Sequence, residues 1–199
     1  MPASIAGILL AAGDGSRLGQ PKALVELGGQ TLASRGVALL RAGGTDPVIV
    51  VAGAAPVELP GVRSVQNPRW QEGMGSSFAA GLGALPAHCD AAVVALADQP
   101  LVGPESVRRL IGAFLAGATV AVAAYSGQPR NPVLLAREHW TEAVALAAGD
   151  VGARPFLRAH PGLVTLVECG DTGRPDDIDT RADLERVGRL LGGRPDVPG

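Results

Sequence analysis

The 199-residue chain has few aromatic residues, only two cysteines and a single lysine. Aromatic residues make up 3% of the sequence, whereas apolar residues, mainly alanine, valine and leucine, make up 47%. That composition favours an α/β core of packed strands and helices over an all-β sandwich. Cys89 and Cys169 lie far apart in the sequence, outside any CxxC motif or Cys/His cluster. We therefore expect buried free thiols in a reducing cytosol rather than a metal or redox motif.

Long apolar runs and excess charge of one sign are also missing. No apolar segment approaches the roughly 20 residues that span a bilayer, and the N-terminus lacks the basic region of a signal peptide. The formal net charge is −2 with both signs interspersed, which leaves no basic face for nucleic acid or an anionic membrane. These absences predict a soluble, cytoplasmic protein with no nucleic-acid or membrane partner.

Short apolar runs alternate with helical patterns along the chain, which predicts βαβ units around a mostly parallel sheet. No repeat or low-complexity linker divides the sequence, so we expect one domain over residues 1–191 and a Gly/Pro-rich tail over 192–199. The predicted strands are Ile5–Leu10, Pro47–Ala52, Gly61–Gln66, Ala91–Ala97, Thr119–Ala124, Asn131–Leu135 and Leu163–Glu168. The predicted helices are Thr31–Arg41, Ser76–Leu85, Pro104–Ala116, Arg137–Ala148, Gly152–Ala159 and Thr180–Leu191.

The single lysine, Lys22, closes a glycine-rich segment that begins at Leu10, at the end of the first predicted strand. In an open α/β sheet, ligands bind outside the carboxyl ends of the strands. Gly13 and Gly15 allow close backbone approach, while Arg17 and Lys22 supply positive charge. The segment therefore predicts a polyphosphate-binding loop. Its spacing matches neither GxGxxG nor GxxxxGK[ST], so both standard phosphate-loop motifs are excluded.

Two acidic segments contain candidate metal ligands. Asp98 follows the predicted strand Ala91–Ala97, and its carboxylate is the kind of oxygen ligand that Mg²⁺ prefers; the alternative is a simple Asp-x-Pro turn. Asp177 and Asp179 lie on one face of an extended segment, and either is a candidate for the second ligand. The alternative is that Asp179 or Thr180 only caps the last helix.

A further glycine-rich segment, Trp70–Ser77, precedes a predicted helix. Its glycines and the hydroxyls of Ser76 and Ser77 predict a polar cradle for the base or ribose of a nucleotide, with one of the two serines as the helix N-cap. The alternative is a plain glycine turn followed by a capping serine.

Five segments together resemble the MobA-like nucleotidyltransferases, whose signature is LAAGxGxRxGxxK. Within that family the chain is most similar to the molybdenum cofactor cytidylyltransferase branch, because its second segment reads GMGSS, its third DQP and its fourth GDVGAR. The last segment departs from the usual DxDTPEDL, since Arg181 and Ala182 replace Pro-Glu. The five segments are Leu10–Lys22, Gly73–Ser77, Asp98–Pro100, Gly149–Arg154 and Asp177–Leu184.

The resemblance implies a single-domain, Rossmann-like three-layer α/β/α fold of the nucleotide-diphospho-sugar transferase type. It also implies transfer of CMP from CTP to the terminal phosphate of molybdopterin, with release of pyrophosphate. Arg17 and Lys22 would hold the phosphates, and Mg²⁺, or Mn²⁺ in its place, would bind Asp98 and Asp179. The nucleotide would contact Leu10, Ala11, Ala12, Gly13, Gly15, Ser16, Arg17, Lys22, Gly75, Ser76, Ser77 and Asp98.

The resemblance leaves the remaining motif residues for the acceptor, molybdopterin. No histidine or cysteine nucleophile is required, because a phosphate monoester is already ionised near neutral pH. The product would pass to a recipient molybdoenzyme. The acceptor residues implied in this way are Gln99, Pro100, Asn131, Pro132, Gly149, Asp150 and Arg154.

Two alternatives to CMP transfer stay open at the level of sequence. The first keeps the fold and changes the substrates: GTP with molybdopterin, or another NTP with a sugar phosphate or a small phosphorylated alcohol. The second is a non-catalytic carrier of the molybdenum cofactor. Arg17, Lys22 and Asp98 favour an enzyme over a carrier, since a carrier needs no groups for a metal–triphosphate.

Overall fold

The structure is a computed structural model that describes residues 2–192. Its strands are β1 (Ile5–Ala11), β2 (Glu26–Leu27), β3 (Gln30–Thr31), β4 (Val48–Ala52), β5 (Arg63–Gln66), β6 (Ala91–Leu96), β7 (Val120–Tyr125), β8 (Gln128–Ala136) and β9 (Val164–Glu168). Its α-helices are α1 (Leu32–Ala42), α2 (Met74–Gly83), α3 (Pro104–Leu115), α4 (Trp140–Leu146), α5 (Arg154–Ala159) and α6 (Arg181–Gly192).

Seven of these strands form one sheet in the order β5-β4-β1-β6-β8-β7-β9, and β2 pairs with β3 in a separate hairpin. β1 lies parallel to both β4 and β6, while β8 runs antiparallel to β6 and β7. Leu10 is level with Leu96 in the register of β1 and β6. The carboxyl ends of these two strands therefore lie side by side, which brings the loop after β1 next to Asp98.

Helices cover both faces of the sheet, which explains why its central strands are apolar throughout. Every residue of β1 and of β4 is buried. Side chains of α1 and α3 pack on one face, and those of α2, α4 and α5 pack on the other. Large buried side chains on the two faces include Leu9 and Leu110 on the first, and Ile8, Phe78 and Phe156 on the second.

A smaller apolar cluster joins the β2–β3 hairpin to the C-terminal part of the chain. Ile178 is fully buried there, against Leu27, Leu32 and Val187 among others. Since neighbouring side chains of an extended segment alternate in direction, burial of Ile178 turns Asp177 and Asp179 the other way. This packing carries both carboxylates to the edge of the sheet where β1 and β6 end.

The predicted order of elements and the mostly parallel sheet are confirmed. β6 lies in the middle of the sheet but is parallel only to β1, because β8 on its other side runs the opposite way. None of the helices in the described range combines the length and apolar character needed to cross a membrane. Of the predicted tail, Gly192 ends α6 and residues 193–199 lie outside the described residues.

The predicted N-cap of α2 was wrong. The helix begins at Met74, so Ser76 and Ser77 lie in its first turn and neither is the N-cap. Gly73 occupies the cap position without any side-chain cap bond, at φ 104°. The departure from the usual motif at α6, in contrast, does not disturb the helix start. Thr180 and Asp183 bond each other's backbone N–H groups there, as in a capping box.

Candidate active site

The loop after β1 folds back on itself and fixes the position of Lys22. The Lys22 N–H donates to the Gly13 carbonyl at 3.3 Å. Gly15 has φ +60°, and a Cβ added there would lie 2.0 Å from the Gln20 carbonyl oxygen, so only glycine fits this close approach. The next residue, Ala23, is buried and anchors the short 3₁₀ turn that begins at Lys22.

The Lys22 ammonium lies between two carboxylates that come from distant parts of the chain. Its Nζ donates to Asp98 Oδ2 at 2.9 Å and also to Asp179 Oδ1. The side chains of Lys22 and Asp98 are 21% and 22% exposed and that of Asp179 is 47% exposed, so a ligand can reach all three. Partial burial lowers the pKa of Lys22, but the attraction of the two carboxylates outweighs burial and the pKa lies above its ordinary value.

Backbone and side-chain bonds fasten the segment around Ile178 to the segment that follows β6. The Ile178 N–H donates to the Asp98 carbonyl at 2.9 Å, and Gln99 Nε2 donates to Asp177 Oδ1 at 2.8 Å. Partial removal from water raises the pKa of Asp177, and the charges of Asp98 and Asp179 raise it further. The Asp177 carboxylate thus accepts a hydrogen bond from Gln99, whereas the carboxylates of Asp179 and Asp98 both pair with the Lys22 ammonium.

The donor set of Asp98 and Asp179 fits a hard divalent cation. Both carboxylates pair with the same ammonium, so they can both bind a single positive charge placed between them. Within residues 2–192 no group of three or more His, Cys, Asp or Glu side chains is arranged to hold a metal ion. Two carboxylates with the remaining ligands supplied by water and phosphate oxygens is how Mg²⁺ is usually bound beside a nucleotide.

A cavity of about 310 Å³ opens beside this cluster. Its lining includes Lys22 and Asp98, and also residues from the start of α2 and from the turn at Asp150. Polar and apolar groups both contribute, as in most small-molecule sites. The lining consists of Leu10, Ala11, Ala12, Gly13, Asp14, Lys22, Trp70, Gln71, Gly73, Met74, Ser77, Leu96, Ala97, Asp98 and Asp150.

Most hydrogen-bonding groups of the glycine-serine segment are used inside the protein. The Gly75 N–H donates to the Gly149 carbonyl at 2.9 Å, and the Ser76 hydroxyl donates to the carbonyls of Arg69 and Gly73. Gly75 and Ser76 do not line the cavity, whereas Ser77 does. Of the cradle predicted from sequence, Gly73 and Ser77 therefore face the cavity, whereas Gly75 and Ser76 do not.

Several other predicted site residues lie outside the cavity lining. Arg17 is exposed, lines neither cavity and makes no hydrogen bond or ion pair with other residues of the 2–192 range. Gly15 and Ser16 shape the loop without lining the cavity. Asn131 and Pro132 lie on β8 beside the end of β6, and Arg154 starts α5; all three are outside the cavity lining.

Gln99 and Pro100 line a second cavity of about 280 Å³ between α1 and the segment after β6. Leu96 and Ala97 contribute to both cavities. The two spaces therefore lie on either side of the end of β6. Predicted acceptor residues are thus divided, since Gln99 and Pro100 line the second cavity while Asp150 lines the first.

Asn67 is a structural residue of the site that the sequence reasoning missed. It is buried, and its side-chain amide donates to the hydroxyls of Ser76 and Ser77 at 2.8 and 3.0 Å. Asn67 directly follows β5, so a polar residue at the carboxyl end of a strand was the available signal. Trp70, Gln71 and Met74 also line the cavity without having been predicted to do so.

A family model for the MobA-like NTP transferase domain matches residues 7–164, which is more than half of the chain. The chain belongs to the MobA-like NTP transferase family. The matched range includes most of β1, the loop from Leu10 to Lys22, β6 with Asp98 and the Asp150 turn. It ends before Asp179, so the second carboxylate of the cluster comes from outside the matched region.

Two relatives that are similar to this MobA-like NTP transferase over most of its length have names that indicate different activities. Nicotine blue oxidoreductase from Paenarthrobacter nicotinovorans is 40% identical over 203 aligned positions, covering 94% of this chain and 96% of the relative. Molybdenum cofactor guanylyltransferase from Rhodobacter capsulatus is 30% identical over 190 positions, covering 87% and 95%.

Solved structures confirm the fold of this MobA-like NTP transferase. A homologue of Mycobacterium tuberculosis Rv0371c from Mycobacterium sp. strain JC1 superposes with a TM-score of 0.81 at 31% identity, covering 94% of this chain and 96% of the other. Rv0371c from M. tuberculosis H37Rv, in a complex with manganese, gives a TM-score of 0.74 at 26% identity, covering 94% and 98%. A divalent metal thus accompanies this fold in a related structure.

Proposed function

We propose that this MobA-like NTP transferase transfers CMP from CTP to the terminal phosphate of molybdopterin and releases pyrophosphate. Guanylyl transfer from GTP to the same acceptor is the nearest alternative, favoured by the relative from Rhodobacter capsulatus. The site residues, the metal and both substrates are part of this proposal. The recipient of the product would be a molybdoenzyme.

One observation carries the proposal: Lys22, Asp98 and Asp179 meet in one cluster beside the phosphate loop and a cavity. A triphosphate and a phosphate acceptor are both anionic, so their reaction needs cations held in a fixed geometry more than it needs an acid or a base. In this cluster the lysine is itself one cation, and the two carboxylates are ligands for a second cation, the metal.

In the proposed step, an oxygen of the acceptor phosphate attacks the α-phosphorus of the NTP. A new P–O bond forms there while the bond between the α-phosphorus and the bridging oxygen breaks, and pyrophosphate carries away the negative charge. Lys22 would hold the phosphates and stabilise the leaving group. Arg17, which is exposed on the same loop, would reach the phosphates only when substrate is bound.

Asp98 and Asp179 would hold the divalent metal, Mg²⁺ or Mn²⁺. The bound metal would supply charge neutralisation and orientation of the phosphate oxygens. Binding of the metal has a consequence for this chain, since Lys22 occupies the position between the two carboxylates. Lys22 would move from the carboxylates to the phosphates when metal and nucleotide bind together.

The backbone of Leu10 to Gly13 and the hydroxyl of Ser77 would contact the nucleoside, because these groups line the cavity. Gly75 and Ser76 would act indirectly by shaping the start of α2. Gln99 and Pro100, in the adjacent cavity, would contact the acceptor, together with Asn131, Pro132 and Arg154.

A second candidate is reduction of nicotine blue, because the relative of that name is 40% identical across almost the whole chain. Cys89 and Cys169 are buried and line neither cavity, so no thiol of the described range could carry electrons at the site. The activity would therefore need a bound electron donor. A non-catalytic cofactor carrier is less well supported, since it gives no role to the Lys22 cluster.

Pyrophosphate release distinguishes these candidates. Purified protein should be incubated with Mg²⁺ and molybdopterin, and with CTP, GTP, ATP or UTP in separate reactions. We expect release with CTP and none when molybdopterin is omitted. A tenfold preference for GTP would replace CMP transfer by GMP transfer. If no NTP gives pyrophosphate while nicotine blue loses its absorbance in the presence of a reduced nicotinamide nucleotide, the transferase proposal is wrong.

A further inference from the structure

Asp150 differs from the other two acidic residues that line the nucleotide cavity. Asp14 accepts a bond from the Ser16 N–H, and Asp98 pairs with Lys22. The Asp150 side chain is exposed and takes part in no hydrogen bond or ion pair within residues 2–192. A cavity proposed to receive a polyanionic triphosphate thus contains one carboxylate whose acceptor oxygens remain available to a ligand.

The backbone on either side of Asp150 is held firmly in place. Ala148 and Val151 form a bridge across the turn, and the Gly149 carbonyl accepts a bond from the Gly75 N–H at 2.9 Å. A Cβ built on Gly73 would lie 2.4 Å from the Gly149 carbonyl and 2.7 Å from Asp150 Oδ1. The turn therefore packs directly against the start of α2, and these contacts fix the backbone that carries the Asp150 carboxylate.

Asp150 and Lys22 line the cavity from different segments of the chain, Asp150 beside Gly73 at the start of α2 and Lys22 beside Gly13 in the loop after β1. Gly13 faces the side chain of Lys22, at 3.8 Å from an added Cβ, whereas Ala12 faces Gly53 and, through it, Trp70. The lining thus has a charged end around Lys22 and Asp98 and a second end formed by Trp70, Gly73 and Asp150. A triphosphate bound at Lys22 would point its nucleoside toward the second end.

A carboxylate at the nucleoside end has a definite preference among bases. It accepts hydrogen bonds and cannot donate them, so it pairs with an exocyclic amino group such as that of cytosine and opposes a carbonyl oxygen such as O4 of uracil. At the phosphate end the same charge would only repel the ligand. Its position beside Gly73 at the start of α2, rather than in the Lys22 cluster, therefore agrees with a role in reading the base.

We propose that Asp150 determines base specificity by accepting a hydrogen bond from the amino group of the bound nucleotide's base. The inference rests on the proposed nucleotidyl transfer and assigns Asp150 to the NTP, rather than to the acceptor as the sequence resemblance implies. It predicts discrimination against UTP. CTP and UTP are the most informative pair, because they differ at the 4-position, amino against oxo, and in the protonation of N3.

A purely structural role for Asp150 makes a different prediction. The residue lies beside the N-terminus of α2, where a negative charge stabilises the helix by interacting with its dipole. If that were its only role, Asp150→Asn would lower the melting temperature and weaken all NTPs alike. A role in base reading instead changes the ratio of CTP to UTP affinity, which stability alone does not move.

The test is equilibrium binding of CTP and UTP, with Mg²⁺ and without acceptor, to the wild type, Asp150→Asn and the control Glu72→Gln. Glu72 is an exposed carboxylate in the preceding turn that does not line the cavity, so its substitution removes a nearby charge and an exposed ion pair with Arg69 but no cavity contact. We expect wild type to favour CTP by about tenfold to a hundredfold, the range for one well-placed base contact. Asp150→Asn should bring the ratio close to one, because its amide can donate to O4 of uracil.

Equal binding of CTP and UTP to the wild type would overturn the inference, as would an unchanged ratio in Asp150→Asn or an equal change in Glu72→Gln. Pyrophosphate assays separate these outcomes from failure of the proposed function. A wild type that transfers nucleotides without discriminating against UTP refutes the role of Asp150 alone. A wild type that binds no NTP refutes both.

Discussion

The two ends of the cavity beside Lys22, the proposed nucleotide site, are held together by different kinds of contact. At one end, Lys22, Asp98 and Asp179 compensate one another's charge across long separations in the sequence. At the other end, glycines at 73 and 149 allow two backbone segments to touch, and one carboxylate projects from them. Substitutions at the charged end should therefore affect the chemical step, whereas those at the backbone end should affect binding and stability.

The largest effect is expected for Asp98→Ala at the charged end. Loss of this carboxylate removes a proposed metal ligand and leaves Lys22 bound to Asp179 only. We expect Mg²⁺-dependent pyrophosphate release to fall by about a thousandfold or more, while circular dichroism shows the fold retained. Glu58→Ala, which removes an exposed carboxylate elsewhere, is the matched control and should keep full activity. Normal turnover by Asp98→Ala would mean that the metal assignment is wrong.

Lys22→Arg should cause the next largest loss, although it keeps the positive charge. The planar guanidinium cannot take the place of a compact ammonium between two carboxylates and a phosphate. We expect kcat to fall by about a hundredfold, measured as the initial rate of pyrophosphate release. Activity within twofold of wild type would show that any cation suffices at this position.

Lys22→Met tests whether Lys22 and the metal compete for the same carboxylates. Removing the ammonium leaves Asp98 and Asp179 without their cation, so Mn²⁺ should bind about tenfold more tightly in the absence of nucleotide. Electron paramagnetic resonance of free Mn²⁺ during a titration measures this affinity directly. Unchanged or weaker binding of Mn²⁺ would contradict the proposed exchange of Lys22 for the metal.

Arg17→Gln should have a smaller effect, since Arg17 is exposed and outside the cavity lining. If Arg17 contacts the phosphates only in the bound state, kcat/KM should fall by about two- to fivefold, as for a solvent-exposed charge contact. The loss should shrink at high salt because screening weakens exposed charge pairs. A loss as large as that of Lys22→Arg would mean that Arg17 is part of the central cluster.

Gly73→Ala tests the backbone end with the smallest expected effect on the chemical step. At φ 104°, with the Gly149 carbonyl 2.4 Å from the new Cβ, the substitution forces the two segments apart. We expect a stability loss of about 1–3 kcal/mol and a higher KM with kcat nearly unchanged. Gly83→Ala is the matched control in the same helix, because nothing lies within 4 Å of its added Cβ. A normal melting temperature for Gly73→Ala would show that the turn is not held by this contact.

The charged end was largely predictable from sequence, and for a physical reason. Continuous apolar runs identify β1 and β6 as buried strands, and polar residues that follow neighbouring parallel strands meet at one edge. That reasoning brings Lys22 and Asp98 together before any coordinates are known. It leaves Asp177 and Asp179 equivalent, because only the contacts of Gln99 and Lys22 separate them.

The backbone end was not predictable in the same way. Glycines and serines in a sequence suggest hydrogen-bonding groups that face a ligand. Here the Gly75 N–H donates to the Gly149 carbonyl, and the Ser76 hydroxyl donates to the Arg69 carbonyl and to the preceding turn. The partner turn lies some 75 residues farther along the chain, as the numbers of Gly75 and Asp150 show. Local patterns do not record such long-range contacts, so the assignment of Asp150 depends on the fold.

The most direct test is a crystal structure with CTP and Mn²⁺ in which anomalous scattering locates the metal. We predict a manganese peak coordinated by Asp98 and Asp179, with the Lys22 ammonium moved onto the phosphates. A manganese peak away from both carboxylates, or a nucleotide bound while Lys22 still bridges Asp98 and Asp179, would contradict the account of this site.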